Sequence, residues 1–400
     1  MANKKSSLLS GVQRKFRHSD WKLLIPYFIL LGIGILMVYS SSSYFAMSQF
    51  NNSEYFLIRQ FIFSILSVLV ILIGSTVTKR LYTSKRFIGI SLLVIMLMLL
   101  YVLIKGIAVN GASAWIDLGL FSVQPSELLK IMMVLYLATF LSNNEDKFAC
   151  IQRSKNTNVF KEIFKVGKKP VIVIAIFLFL VLIQPDMGGV IIIGAICVTM
   201  LLMSGLPFWM GLSAIAAVLA FYFAFIGLVK WQGGLPLVPA YMMDRFTAFL
   251  DPFEDVRNSS FQLVNSFYAL ARGGLFGVGI GESVQKTGYL PESYTDFIIP
   301  IMAEELGLFR VLAVLATFFY MIFRMYRISL SIKDSFGQLV CIGMSTLFLV
   351  QGTINVGGAV GILPLTGVTF PFVSYGGSSL IVSSVALAIV NNIYINDRLG

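Results

Sequence analysis

Charge is scarce in this sequence: Asp, Glu, Lys and Arg together make up 12% of its 400 residues, about half of what an average soluble domain carries. Histidine is scarcer still, with His18 alone in a basic stretch near the start, and cysteine is limited to Cys150, Cys197 and Cys341. No C-x-x-C pair occurs. These shortages exclude imidazole and thiolate metal centres, histidine-based triads and an outer disulfide framework. Acid–base chemistry falls to carboxylates. The first apolar run lacks an A-x-A cleavage site and is followed by nine more, so it reads as a signal anchor. Basic residues are not interleaved with aromatics, so no nucleic-acid partner is expected. The net charge of +11 reads as membrane topology plus attraction to anionic headgroups.

What fills the chain is apolar: 57% of residues are hydrophobic and the mean hydropathy is +0.85. Runs long enough, or nearly so, to cross a hydrocarbon core of about 30 Å fall at 23–44, 56–77, 87–104, 125–142, 171–184, 187–205, 208–229, 297–323, 336–355 and 376–395. They predict an all-α polytopic integral membrane protein of about ten transmembrane helices, with a large extracytoplasmic loop, 230–295, between spans 7 and 8. Of the 30 Lys and Arg residues, 21 lie in 1–22, 79–86, 147–169, 324–333 and at Arg398. The positive-inside rule makes those segments cytoplasmic, together with both termini. The organisation is thus a basic tail (1–22), a single ten-helix domain (23–395) and a short C-terminus (396–400).

Polar residues gather in a few places, each costly near lipid. In NGASAWIDLGLFSVQPSELLK, residues 110–130, turn residues and an interfacial Trp115 precede Pro125 at a helix start. Glu127 and Lys130, three apart, share a helix face and suit either an internal ion pair or substrate contact. In QPDMGG, residues 184–189, Asp186 sits in a tight outer turn and suits both a helix cap and a functional site. Within the outer loop, Ser259 or Ser260 is placed to cap a helix with Phe261, Val264, Phe267 and Ala271 on one face, closed by Gly273 and Gly274. The glycines that follow read as a hinge, since no strand precedes them and no phosphate-loop pattern is complete. Arg245, Arg257, Arg272 and Lys286 are available to an anionic group. The segment 355–380 carries no formal charge, and its prolines and glycines predict a broken or re-entrant piece. Its hydroxyls, Thr366, Thr369, Ser374 and Tyr375, suit a sugar or headgroup.

Five ordered motifs, QPSELLK, QPDMGG, FLDP, SVQKTGYLPESYTDFIIPIMAEELG and LPLTGVTFPFVSYGGSSL, resemble the SEDS family (shape, elongation, division and sporulation) from the first span to the last. MVYSSSS at 37–43 and GESVQK at 281–286 are closer to its division branch than to its elongation branch. The resemblance implies a peptidoglycan glycosyltransferase that polymerises lipid II beside a class B penicillin-binding transpeptidase and other division proteins. It also implies a place in the bacterial plasma membrane, enriched at the division site. By motif position the family's essential carboxylate falls on Asp296, its Q-P-S-E glutamate on Glu127, its lysine on Lys130, its Q-P-D aspartate on Asp186 and the arginine ahead of F-L-D-P on Arg245. The chain departs from the family pattern at Ala114, where many members have arginine, and at Tyr294, where many have histidine.

Joining a sugar 4-hydroxyl to an anomeric carbon that carries a lipid diphosphate needs a base on the attacking side and cations on the leaving side. Asp296 is the expected base, with Glu292, one helical turn earlier if the helix begins there, as the second choice. Lys286, Ser374 and Tyr375 join the expected substrate contacts. No cofactor is required, although a divalent cation (Mg or Mn) shared by Asp296 and the diphosphate is compatible with the motif. The rival reading is a transporter of the lipid-linked precursor, suggested by Glu127, Lys130, Glu304 and Glu305 within apolar surroundings.

Overall fold

A computed structural model describes residues 15, 17–109, 112–117, 119, 122–148, 159–203, 212, 216 and 240–399. Span 208–229 apart from residues 212 and 216, Cys150 and most of the basic tail lie outside the described residues. Among the described residues eight helices are long and apolar enough to cross a membrane. They are α1 (Trp21–Phe50), α2 (Tyr55–Gly74), α3 (Lys85–Lys105), α4 (Pro125–Asn143), the apolar part of α5 (Val159–Ile183), α10 (Leu308–Ser331), α11 (Ser335–Ala359) and α12 (Gly377–Leu399). A ninth apolar helix, α6 (Met187–Met203), is shorter. Among the described residues three longer helices lie outside this set, α7 (Ala240–Leu250), α8 (Phe261–Gly273) and α9 (Ile298–Leu306), beside a one-turn helix at Lys79–Tyr82 and a 3-10 turn at Gln285–Thr287.

Burial divides the spans by role. In α4 and α12, 78% of the hydrophobic stretch is buried in protein, whereas in α5 the share is 17% and in α2 and α3 it is 28%. The first pair belongs to the centre, with α11 beside it at 72%, and the others face lipid. Lipid tails are as apolar as leucine, so helices associate here through close packing and hydrogen bonds instead of water exclusion. Gly343 of α11 shows the closeness: a Cβ there would lie 2.7 Å from Val134 of α4 and 2.9 Å from Met200 of α6.

The two ends of the bundle carry the polar networks. At one end Asp20 caps α1 through Leu23 N (3.1 Å) and accepts Arg324 Nε (2.9 Å). Asn392 Nδ2 reaches the carbonyls of Gly74, Ser75 and Val77, and Lys79 pairs with Asp334 at 2.6 Å. The segments ahead of α1, after α2, between α10 and α11 and at the end of α12 thus share one end. That is the grouping the charge alternation predicts.

Three local expectations are corrected. The run 297–323 is not one helix: it breaks at Gly307 (φ 83°) into α9 and α10. A Cβ at Gly307 would lie 2.3 Å from Gly277 N, because residues 274–279 run alongside the break. Carbonyls of Gly274 and Leu275 take the otherwise orphaned donors Leu308 N (3.0 Å) and Phe309 N (3.3 Å), which makes the interruption tolerable. The loop after α3 is not only turns: β1 (Ile107–Val109), β2 (Ala112–Asp117) and β3 (Ser122–Val123) form an antiparallel sheet in the order β1-β2-β3. Helix α8 has the expected bounds, but it buries Leu263, Val264, Asn265, Ser266 and Ala269, and Ser260 makes no side-chain cap bond.

Candidate active site

The opposite end of the bundle is built from four loops. Pro125 opens α4, which carries Glu127 and Lys130 inward. Lys130 Nζ bonds Glu127 Oε1 at 2.8 Å, with both side chains at or below 10% exposure. It also approaches Gln351 Oε1 at 3.5 Å. Of the two readings open for this pair, the structure displays the internal ion pair. Asp186 caps α6 through Gly189 N (2.8 Å), while its other oxygen accepts Gln124 Nε2 (2.9 Å) and Ser126 Oγ (2.7 Å). The cap and the start of α4 are thereby tied together. Gly188 lets this turn reach the segment after α11, since a Cβ there would lie 2.1 Å from Val368 Cγ2.

Residues 360–376, between α11 and α12, are irregular as their glycines and prolines predict, and they receive the loop that carries Asp296. That loop is not helical at Glu292, whose φ is 56°, so Glu292 is not a first-turn carboxylate of α9. The carbonyl of Glu292 instead accepts Thr295 N (3.2 Å) and Phe297 N (3.1 Å), and its carboxylate accepts Thr295 Oγ1. Ser374 is a latch: its Oγ donates to Thr295 O at 2.6 Å and accepts Phe370 N at 2.9 Å. Tyr375 N donates to Tyr294 O at 2.9 Å. Asn355 Nδ2 donates to both Asp296 O (2.9 Å) and Val368 O (2.7 Å). The ring of Tyr294 lies 4.6 Å from Phe56 and 5.8 Å from Tyr375, forming an aromatic wall at the expected histidine position.

This strapping brings Asp296 and Arg245 together. Gly367 (φ 74°) lies between them, and a Cβ there would sit 3.3 Å from Arg245 Nη1 and 3.5 Å from Asp296 Oδ2. Asp296 keeps a partly open surface within dense protein. Burial, and then the negative Glu292, push its pKa up to about 7 against the opposing pull of Arg245. A carboxylate poised there can take a proton near neutral pH. On α7 and the turns beyond Arg245 lies a cavity of about 300 Å³ lined by Asp244, Asp251, Glu254 and Asp255, whose charges repel a diphosphate. Among the described residues, no three or more of His, Cys, Asp and Glu gather into a metal-holding group.

Lys286, expected among the substrate contacts, is engaged in a buried ion pair. Its Nζ pairs with Glu305 at 2.6 Å, with side-chain exposures of 6% and 0%, and Ser40 Oγ donates to both Glu305 oxygens. Glu304 is matched in the same way by Arg272 at 2.6 Å and by Ser283 and Val284 N. Both glutamates thus have their charge matched inside the protein. Sequence reasoning missed Asn355 and Gln351, whose amides join α11 to the irregular segment. Their spacing of four residues on a buried helix was the only available signal.

The comparisons decide the family. The model described as "Cell cycle protein", that of FtsW, RodA and SpoVE, matches residues 21–399. This chain belongs to that family. Among its SEDS relatives is the probable peptidoglycan glycosyltransferase FtsW of Lactococcus lactis subsp. lactis (strain IL1403), 37% identical over 95% of this chain and 93% of that protein. Stage V sporulation protein E of Bacillus subtilis (strain 168) is 36% identical over 94% and 96%. The fold is similar to a chain of a peptidoglycan synthase complex described as coordinating polymerization and crosslinking, with a TM-score of 0.72, 24% identity and 96% and 99% coverage. It is also similar to the rod shape determining protein RodA of Thermus thermophilus, with a TM-score of 0.63, 23% identity and 95% and 97% coverage.

Proposed function

We propose that this SEDS protein is a peptidoglycan glycosyltransferase that polymerises lipid II during cell division. Support comes from the names of its relatives and, in the chain itself, from Asp296 facing Arg245 across Gly367 at the loop end of the bundle. That end is opposite the basic one and is read as extracytoplasmic, with both termini cytoplasmic and the protein enriched at the division site. A lipid-anchored substrate there presents its sugars to the loops while its prenyl tail stays in the bilayer.

Asp296 is the general base. Its carboxylate takes the proton of the attacking 4-hydroxyl as oxygen bonds to the anomeric carbon, and the polyprenyl diphosphate departs from the opposite face with inversion. Arg245 offers a planar, always-charged fork to the diphosphate and stabilises the charge that develops there. Burial holds Asp296 in its high-pKa range, and the like charge of Glu292 adds to it. Glu127, Lys130 and Asp186 support the loops from beneath, and Ser374 and Tyr375 hold the Asp296 loop to the irregular segment. Among the described residues no group of three or more His, Cys, Asp and Glu is placed to hold a divalent ion by protein alone. The partner is a class B penicillin-binding transpeptidase that uses the strands this site makes, with other division proteins alongside.

The experiment is polymerisation of lipid II in detergent by the chain co-purified with its transpeptidase. Glycan strands are the expected product. A pure transporter has no compartments to connect in detergent and yields none, so absence of strands from folded complex overturns the proposal.

A further inference from the structure

Asn355 lies on α11 one turn beyond Gln351, and the two side chains share a face. Gln351 Nε2 donates to Thr369 O at 3.1 Å, and its Oε1 meets Lys130 Nζ. Asn355 uses its amide nitrogen twice, on carbonyls 59 and 13 residues away in sequence: Asp296 O and Val368 O. A carboxamide nitrogen has two hydrogens, so this double donation consumes both and fixes which way the amide points. The reversed amide would set an oxygen against two carbonyl oxygens. The remaining Oδ1 is buried and has no hydrogen-bond partner among the described residues. Buried acceptors are seldom left so. The group is therefore held in place by its two donor bonds, and the residue is 5% exposed.

The two carbonyls are the ones that matter for geometry. One belongs to Asp296, and the other is next to Gly367, the residue across which Asp296 and Arg245 face each other. We propose that Asn355 is the positioning residue of this site: its amide clamps the Asp296 backbone to the Gly367–Val368 turn, setting the distance between carboxylate and guanidinium. Gln351 continues the clamp one turn deeper, and through it the Glu127–Lys130 pair supports the same segment. This inference rests on the glycosyltransferase reading above. It adds a residue whose effect passes wholly through the placement of another.

The test uses the full chain with its transpeptidase partner and measures lipid II polymerisation against pH, with Asp296→Asn as reference. Asn355→Leu keeps the volume and removes both donors. It is expected to lower kcat by roughly 10²-fold, the cost of a misplacement near 1 Å, with a much smaller change in KM. Asn355→Asp is close in size and carries its own pH signature. Its carboxyl keeps one O–H donor when protonated, and it has none, with two repelling contacts, when ionised. The charged groups around it are Asp296, Glu292 and Arg245 on the outer side and Glu127 and Lys130 on the inner side. Activity of this variant relative to the unmodified chain is expected to fall as pH rises, whereas a merely space-filling role gives a ratio that does not change with pH.

A folded Asn355→Leu protein with kcat within about two-fold of the unmodified chain overturns the proposal, because loss of placement is worth far more. A flat ratio for Asn355→Asp overturns it too, and that comparison stands if the leucine variant fails to fold. If Asp296→Asn is itself active, the general-base reading has failed. If it is inactive while both Asn355 variants behave like the unmodified chain, only the clamp has failed.

Discussion

Replacing Lys286 by methionine separates a structural cation from a substrate contact. The side chain keeps its length and loses its charge, leaving Glu305 at 0% side-chain exposure with the Ser40 hydroxyl as its remaining hydrogen-bond donor among the described residues. Removing one partner of such a pair strands a buried charge, and the cost is about 3–5 kcal/mol. At about 2 °C per kcal/mol for a large domain, the thermal midpoint should drop by roughly 6–10 °C. The assay is unfolding in detergent, followed by tryptophan fluorescence, beside lipid II polymerisation at a temperature where the variant is still folded. Adding Glu305→Gln removes the stranded charge and should restore most of the midpoint, since neutral replacement of a buried ion pair is often free of net cost. Folded single variant should retain polymerisation. If the midpoint is unchanged while polymerisation disappears, Lys286 serves the diphosphate and the pairing described above is not its role.

Three further outcomes follow from the pair of groups around Gly367. Because Asp296 sits near pKa 7 and acts ionised, the rate should rise about tenfold per pH unit below that value and level off above it. The same shift bears on stability: with the folded pKa raised above 3.8, the fold favours the protonated form, and stability is lost as pH rises from 3.8 to about 7. Asp296→Asn should therefore unfold at a higher temperature than the unmodified chain at pH about 8, with the gap closing toward pH about 4, as thermal scans at both pH values will check. Arg245→Lys should lose roughly tenfold or more in polymerisation, since a point charge replaces a planar fork; equal rates would reduce Arg245 to a solvated charge.

The spans were legible because hydropathy is a property of the segment itself: described helices match eight of the ten predicted runs in place, 297–323 is split at Gly307, and 208–229 lies almost wholly outside the described residues. Gly307 escaped notice because its neighbours on both sides are helix formers. Only the close approach of residues 274–279, which no local pattern reveals, requires a glycine there. Lys286 looked available because its partners, Ser40 and Glu305, are 246 and 19 residues away in sequence. Charge scarcity pointed to Glu292, Asp296, Glu127, Lys130 and Asp186, since in an apolar chain each charge needs a reason, and the family resemblance chose Asp296 as the essential carboxylate. The same reasoning is blind to neutral amides, and it passed over Asn355 and Gln351 although they hold the segment that the charges serve.

The general-base assignment is tested most directly by polymerisation of lipid II by the partnered complex, comparing the unmodified chain with Asp296→Asn and Glu292→Gln. The account predicts a loss of ~10²–10⁴ for the asparagine variant, with folding and partner binding intact. It predicts a milder effect for the glutamine variant, whose carboxylate only tunes its neighbour. Near-normal strands from Asp296→Asn, with Glu292→Gln inactive, would contradict the assignment and move the proton transfer to Glu292.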